Sequence, residues 1–310
     1  MALLAGTNDG VYRCSKPRSD EATRVLDAGR VMRVRQFARS ERLFACSKTG
    51  LFCSTDGGET WSGLGVPREE VYSVVLGPEE ESLYAGTHPA HLYVSDDGGD
   101  SWRELDALQD VPSRDEWYTP RHRDEAHVRS LGVHPDTPDR VVAGVEVGGV
   151  HLGEDRGESW VERREGVHDD VHHVLVVGPE EYVASCGGGL YRTEDAGRSW
   201  VRLDDDLSHR YFREAIAHDG RLYAAAAREP PGTWSGESGA DGGLFVSDDG
   251  GESFSSVSYP GQPDEVVLAW AVDDGRVVAG TNEGRVIVNG GGTWETAGQI
   301  STEIRSLSVV

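Results

Sequence analysis

Apolar and polar residues alternate in short runs along the whole chain, and glycine-rich turns cut each run off, a period-two pattern that predicts strands rather than helices. One phrase recurs: LLAGTNDGVYRCS, LFACSKTGLFCS, LYAGTHPAHLYVS, VVAGVEVGGVHLG, YVASCGGGLYRT, LYAAAAREPP…GGLFVS and VVAGTNEGRVIVN. Each reads as two alternating strands joined by a turn. The alanine of the phrase falls at positions 5, 45, 85, 143, 184, 224 and 279, in steps of 40, 40, 58, 41, 40 and 55. A period near 40 with two insertions is a blade period.

Before each later phrase, and once after the last, lies a further apolar strand: MRVRQFA, VYSVVLG, HVRSLGV, HHVLVVG, YFREAIA, VVLAWAV and IRSLSVV. With a strand after the phrase, each repeat has four strands, A to D. The seventh A strand, residues 303–310, ends the chain, whereas the chain begins on a B strand at Ala2 to Thr7. The last strand is therefore expected to pair into the first blade and close the ring, which leaves no open edge. The fold class expected is all-β: a seven-bladed β-propeller of four-stranded antiparallel blades. It forms one domain over 1–310, with insertions at 106–127 and 227–243.

The turn between strands C and D has its own motif. It runs from Ser54 to Trp61, Ser95 to Trp102, Gly153 to Trp160, Thr193 to Trp200 and Ser247 to Phe254, with a shortened NGGGTW ending at Trp294. The shared pattern is Ser/Thr-x-Asp-x-Gly-x-Ser/Thr-Trp. Its Asp can accept hydrogen bonds from the turn's own amides, and its Gly supplies positive φ. The aromatic residue starts the next strand and anchors it in a core.

This turn resembles the Asp-box, or BNR repeat, of sialidases and related glycosidases. The blade count resembles photosystem II assembly-factor propellers and the individual domains of xyloglucanases. The resemblance covers almost the whole chain. Gly153 stands in for one Ser/Thr, Phe254 for one Trp, and the last box lacks its Asp. The resemblance implies that the box lies on the face opposite any active site, so the repeated turn is architectural.

Composition narrows the partners. The chain carries 54 acidic against 30 basic residues, net −24, and only Lys16 and Lys48 are lysines. Such a chain repels nucleic-acid backbones and anionic membranes, so neither nucleic-acid binding nor membrane insertion is expected. An acidic partner surface is one reading. The favoured reading is halophilic adaptation, since the composition resembles that of proteins from salt-accumulating archaea. Cys14, Cys46, Cys53 and Cys186 show no CxxC pair and no zinc spacing, and read as small buried hydrophobes. The N-terminus has no basic n-region, and no apolar run approaches the ~20 residues of a membrane span. A cytoplasmic monomer without a cofactor is expected.

Propeller sites in the families named lie where the loops entering strand A and the B–C loops converge at the channel mouth. Aligning the A strands on the alanine of strand B places Arg33, Tyr72, Arg129, His173, Arg213, Leu268 and Arg305 at one level. Converging guanidiniums in so acidic a chain suit an anion site, because the Arg fork stays charged and matches carboxylate or phosphate. Internal pairing with Glu70, Glu214, Glu265 and Glu303 stands equally open, and Arg35 competes with Arg33 for its place. The insertions carry Trp117, Tyr118 and Trp234. With Arg121, His122 and Arg123, the first two are candidates for a lid or wall, the alternative being that they pack on their own blade. Top-face histidines cluster beside Asp169 and Asp170, but no metal spacing appears and no metal is expected.

Sialidases use an arginine triad, a Tyr–Glu nucleophile pair and an Asp acid. Tyr72 and Tyr211 match only by position, and RVMRVRQF lacks an Arg-Ile-Pro type motif. Xyloglucanase chemistry of the resembled type needs two propellers. No catalytic residue is therefore assigned. The function expected is a non-catalytic binding or assembly scaffold presenting an arginine-lined mouth to an anionic small molecule or an acidic peptide or protein segment. The alternative is a sialidase-like glycoside hydrolase or lyase acting on an anionic sugar.

Overall fold

The computed structural model describes residues 2–15, 21–38, 40–78, 82–119, 123–234 and 239–310. The chain forms seven four-stranded antiparallel sheets, and the fold class is a seven-bladed β-propeller. It divides into two compact units.

The first unit comprises Met1–Ala45, Phe52–Ser62 and Leu203–Val310. It holds blade 1, whose strands run in the order Ile304–Val309, Leu3–Thr7, Val11–Cys14 and Ala22–Leu26. It also holds most of blade 2, with A strand Val31–Gln36, and blades 6 and 7, with A strands Tyr211–His218 and Val267–Asp273. The second unit comprises Cys46–Leu51 and Gly63–Arg202. It holds blades 3, 4 and 5, with A strands Val71–Leu76, His127–His134 and Val171–Val176. As the sequence predicts, the final strand completes the first blade: Leu3 pairs with Val309 and Ala5 with Leu307. Among the described residues, no helix is long and apolar enough to cross a membrane.

The repeated phrase is explained by packing. The alanines at 5, 45, 85, 143, 184, 224 and 279 are all fully buried on strand B. The residue after each is small because the next blade's A strand packs on it. A Cβ on Gly6 meets Val31 Cγ1 at 2.8 Å, on Gly86 Val128 Cγ1 at 2.6 Å, on Gly144 Val171 Cγ1 at 2.8 Å and on Gly280 Ile304 Cγ2 at 2.4 Å. Buried serines then tie neighbouring A strands together. Ser73 Oγ donates to Val128 O at 2.7 Å, Ser130 Oγ accepts from Val174 N at 2.9 Å, and Ser306 Oγ accepts from Val34 N at 3.0 Å. Gly144→Val places branched methyls against Val171 and Val174. It is expected to destabilise by ~1–3 kcal/mol, read as a lower urea midpoint at unchanged slope.

The C–D turns repeat one hydrogen-bond set. Ser54 Oγ donates to Asp56 Oδ1 at 2.8 Å and accepts from Gly58 N at 2.9 Å, while Asp56 accepts from the amides of Glu59 and Thr60 and from Thr60 Oγ1. The same set recurs at Asp97, Asp195 and Asp249, and in part at Asp155. Each Gly that follows has positive φ, 83° at Gly58 and 80° at Gly197. In blades 2 to 5 the Trp immediately precedes a D strand of two residues, such as Arg103–Glu104, whereas Trp294 starts the six-residue D strand Trp294–Gln299. Trp61, Trp200 and Trp294 pack on hydrophobic clusters, and the indoles also clamp turns: Trp102 Nε1 donates to Leu64 O at 2.6 Å and Trp200 Nε1 to Arg163 O at 2.8 Å. The four cysteines are buried and are not joined by disulfides.

Stability should fall with acid in two windows. The His151 imidazole is lowered to about 4, first by burial, although Nε2 lies 3.0 Å from Gly148 O. A lowered base binds its proton first in the unfolded chain. Its stability is therefore complete above pH ~6.5 and lost as pH falls towards 4, by on the order of 3 kcal/mol. The Asp195 carboxyl is lowered to about 2, first by the Ser199 hydroxyl, and contributes above pH ~4 until pH falls through about 2. Urea unfolding at high KCl, which screens the net charge, should show both declines, and His151→Phe should remove the first.

Candidate binding site

In blades 1, 3, 4, 5, 6 and 7 the A–B pairing is interrupted near one end of strand A. The residues left over there are Arg305, Tyr72, Arg129, His172, Arg213 with Glu214, and Leu268. Such a bulge re-aims its side chain. This register differs from the sequence alignment at two places. His172 occupies the bulge, while His173 lies opposite Ser185 in the ladder. In blade 2, Val31 packs on Gly6 as Val128 packs on Gly86, so Arg33 lies one residue further along than Arg129 does. The signal missed was the small residue after the alanine, which fixes the register.

In the first unit, the bulges and their neighbours form a cationic cluster. Glu214, 3% exposed, takes both Arg33, Nη1 to Oε1 at 3.6 Å, and Arg35. Arg305 pairs with Glu303, which also accepts from Asn8 Nδ2 at 3.0 Å. Arg213 forms no ion pair among the described residues, and its hydrogen bond there goes to Tyr211 Oη at 3.3 Å. Burial, and next the Arg213 guanidinium, pull Arg305 down to about 10. Four arginines thus meet two glutamates. Tyr211 is buried and carries the edge of Trp234 at 5.9 Å, so the 227–243 insertion reaches this cluster. A cavity of about 500 Å³ adjoins it, lined by Arg35, Phe37, Ile216, Trp270, Leu307 and Val309 among others.

In the second unit, Arg129 pairs with buried Glu146, which also faces His127 Nε2 at 3.0 Å. The Tyr72 ring lies 4.0 Å from that of His127 and 6.0 Å from that of His88. His172 Nε2 lies 3.4 Å from Asp170 Oδ1. Internal pairing, one of the two readings open from the sequence, therefore holds at Arg33, Arg129 and Arg305. It holds too for Glu70, which takes Arg123 at 2.7 Å, and for fully buried Glu265, which takes Arg285 at 2.9 Å.

The 106–127 insertion packs inward on its own blade at Trp117, 3% exposed. Its Nε1 donates to Ser113 Oγ at 3.0 Å, and its ring lies 4.9 Å from that of His151. Tyr118 beside it is 53% exposed. Arg121 and His122 lie outside the described residues.

The sequence signature of the BNR/Asp-box repeat matches residues 52–62, the first of the turns whose hydrogen bonds recur. The chain is a seven-bladed β-propeller that carries a BNR/Asp-box repeat at residues 52–62. The chain is similar to the photosystem II assembly lipoprotein Ycf48 of Synechococcus sp. (strain CC9902). The two are 25% identical over 253 residues, 78% of this chain and 67% of that protein. It is 32% identical over 123 residues to a xyloglucanase of Hypocrea jecorina (strain QM6a), which is 36% of this chain but 15% of that enzyme. Its fold matches a structure of YCF48 bound to D1 peptide with a TM-score of 0.57, at 19% identity, covering 82% of this chain and 77% of that one.

Proposed function

We propose that this Asp-box propeller is a non-catalytic binding or assembly scaffold, and that the arginine cluster of its first unit receives an acidic peptide or protein segment. The observation that carries the reading is Arg213. Its guanidinium donates to a tyrosine hydroxyl, forms no ion pair among the described residues, and its charge helps to pull Arg305 down. An incoming carboxylate relieves that repulsion and accepts a charge-assisted bond. The 500 Å³ cavity beside Arg35 has the volume of ordinary ligand sites and offers Phe37, Trp270 and Leu307 to apolar flanking groups. The likeness to Ycf48 supports a protein segment, since a structure of that protein holds D1 peptide.

A glycoside hydrolase is the second reading, supported by the likeness to xyloglucanase, and the arginine cluster would suit an anionic sugar as its substrate. Glu214 and Glu303 are both held by arginines, which disfavours them as an acid–base pair. Fluorescence anisotropy with a labelled Glu/Gly peptide, against a Lys/Gly control, tests the first reading. Saturable binding of the acidic peptide that weakens with salt is expected, and no such binding refutes it. Reducing-sugar release from xyloglucan or sialyl-oligosaccharides, lost in Glu214→Gln or Glu303→Gln, would establish the hydrolase instead.

A further inference from the structure

We propose that Glu146, Asp170 and His172, in the second unit, form a site for a divalent transition-metal cation such as Zn²⁺ or Mn²⁺. Each of the three offers a donor atom, and all three atoms lie within 4.8 Å of one another. They come from separate places in the sequence. Glu146 ends the B strand Thr137–Glu146 of blade 4, and Asp170 faces it across an isolated antiparallel bridge. His172 is the bulged residue of the blade 5 A strand. No local motif announces the site because the juxtaposition is made between two blades.

One donor spacing suits a shared ion. His172 Nε2 stands 3.4 Å from Asp170 Oδ1. That is long for an N–H···O bond, typically about 2.9–3.0 Å. It is close to the ~3.3 Å between two donors of a tetrahedral cation with bonds of about 2.0–2.1 Å. His127 Nε2, 3.0 Å from Glu146 Oε2, is the group that orients the carboxylate. The imidazole and carboxylates suit zinc, and the carboxylates also suit manganese, whereas calcium takes about six to eight oxygens.

The donors are also held in place. Glu146 is 3% exposed, His172 1%, His127 0% and Asp170 9%. The amides of Gly148 and Gly149 each donate to Asp169 O at 3.1 Å, and Gly187 N donates to Asp170 O at 2.9 Å. Gly187 leaves room for the Asp170 carboxylate, because a Cβ there meets Asp170 Oδ2 at 2.1 Å. Arg129, paired with Glu146, is the cation's competitor. Its removal should therefore strengthen metal binding, the opposite of its effect on an anion.

The test is calorimetric titration of the chelator-stripped full chain with ZnCl₂ and separately with MnCl₂, in high salt to screen the net charge. Metal content after dialysis is measured alongside. One cation per chain is expected, bound at least tenfold more weakly by Asp170→Asn and His172→Gln, and as tightly or more tightly by Arg129→Gln. Absence of saturable binding of either metal, many weak sites only, or ligand variants that bind like the parent would overturn the proposal. If the variants do not fold, Co²⁺ added to the unaltered chain decides. An intense visible d–d band supports a tetrahedral protein site, and the weak spectrum of the hydrated ion refutes it.

Discussion

A chain ended after Glu303 is expected not to reach a cooperative folded state. The deletion takes away Ile304 and Leu307, 0% and 2% exposed, from the blade 1 core shared with Leu3, Ala5 and Val286. Burial of each of the first two alone corresponds to ~2–5 kcal/mol by large-to-small substitution. The ladder from Leu3↔Val309 to Thr7↔Ile304 goes with them, as do the paired bonds Ala2 N to Val310 O at 2.7 Å and Val310 N to Ala2 O at 2.9 Å. Ser306 no longer bridges to Val34. Against a total stability of ~5–15 kcal/mol, these losses together exceed what a domain tolerates. The deletion also uncovers the edge of Leu3–Thr7, a strand buried along its whole length and prone to edge-to-edge association. Urea unfolding followed by fluorescence, with light scattering, checks this. A truncated chain with the parent's midpoint would show that the closing strand is dispensable.

Arg213→Ala and Arg305→Ala are each expected to weaken binding of the Glu/Gly peptide about tenfold or more, since a charge-assisted hydrogen bond is worth ~1.5–3 kcal/mol. The two should differ in their second readout. Arg305 pairs with Glu303, so its loss leaves a carboxylate that repels the peptide. Arg213 has no ion-pair partner among the described residues, so its loss breaks no ion pair and relaxes Arg305. Arg305→Ala should therefore show the greater loss at low salt, and high salt should narrow the gap. Arg140, paired with Glu154 in the second unit, is the control whose replacement leaves binding unchanged. Equal binding by Arg213→Ala and the parent would remove the reading's main support.

Much of the fold was legible because its determinants are local and repeated. Alternation, the buried alanine, the glycine turn and the Asp-box each act within a few residues, so their period exposes strand order and blade count. The register of strand A was less legible. The bulge shifts a side chain by one position, and His172 and His173 differ by nothing in composition. The fate of Trp117 was likewise open. Only the placement of Ser113 and His151 turns that ring inward, while its neighbour Tyr118 faces solvent.

By itself the sequence determined the seven sheets, their four-stranded order and the return of the last strand to the first, because these depend on spacing along one chain. The tertiary structure decided which charges meet. Glu214 reaches Arg33 and Arg35, and Glu146 reaches Asp170, between blades whose side-chain contacts no pattern along the chain encodes. The physical reason is the range of each force. Strand formation is set by neighbouring residues, whereas an ion pair forms wherever separate strands happen to deliver opposite charges to within a few ångströms.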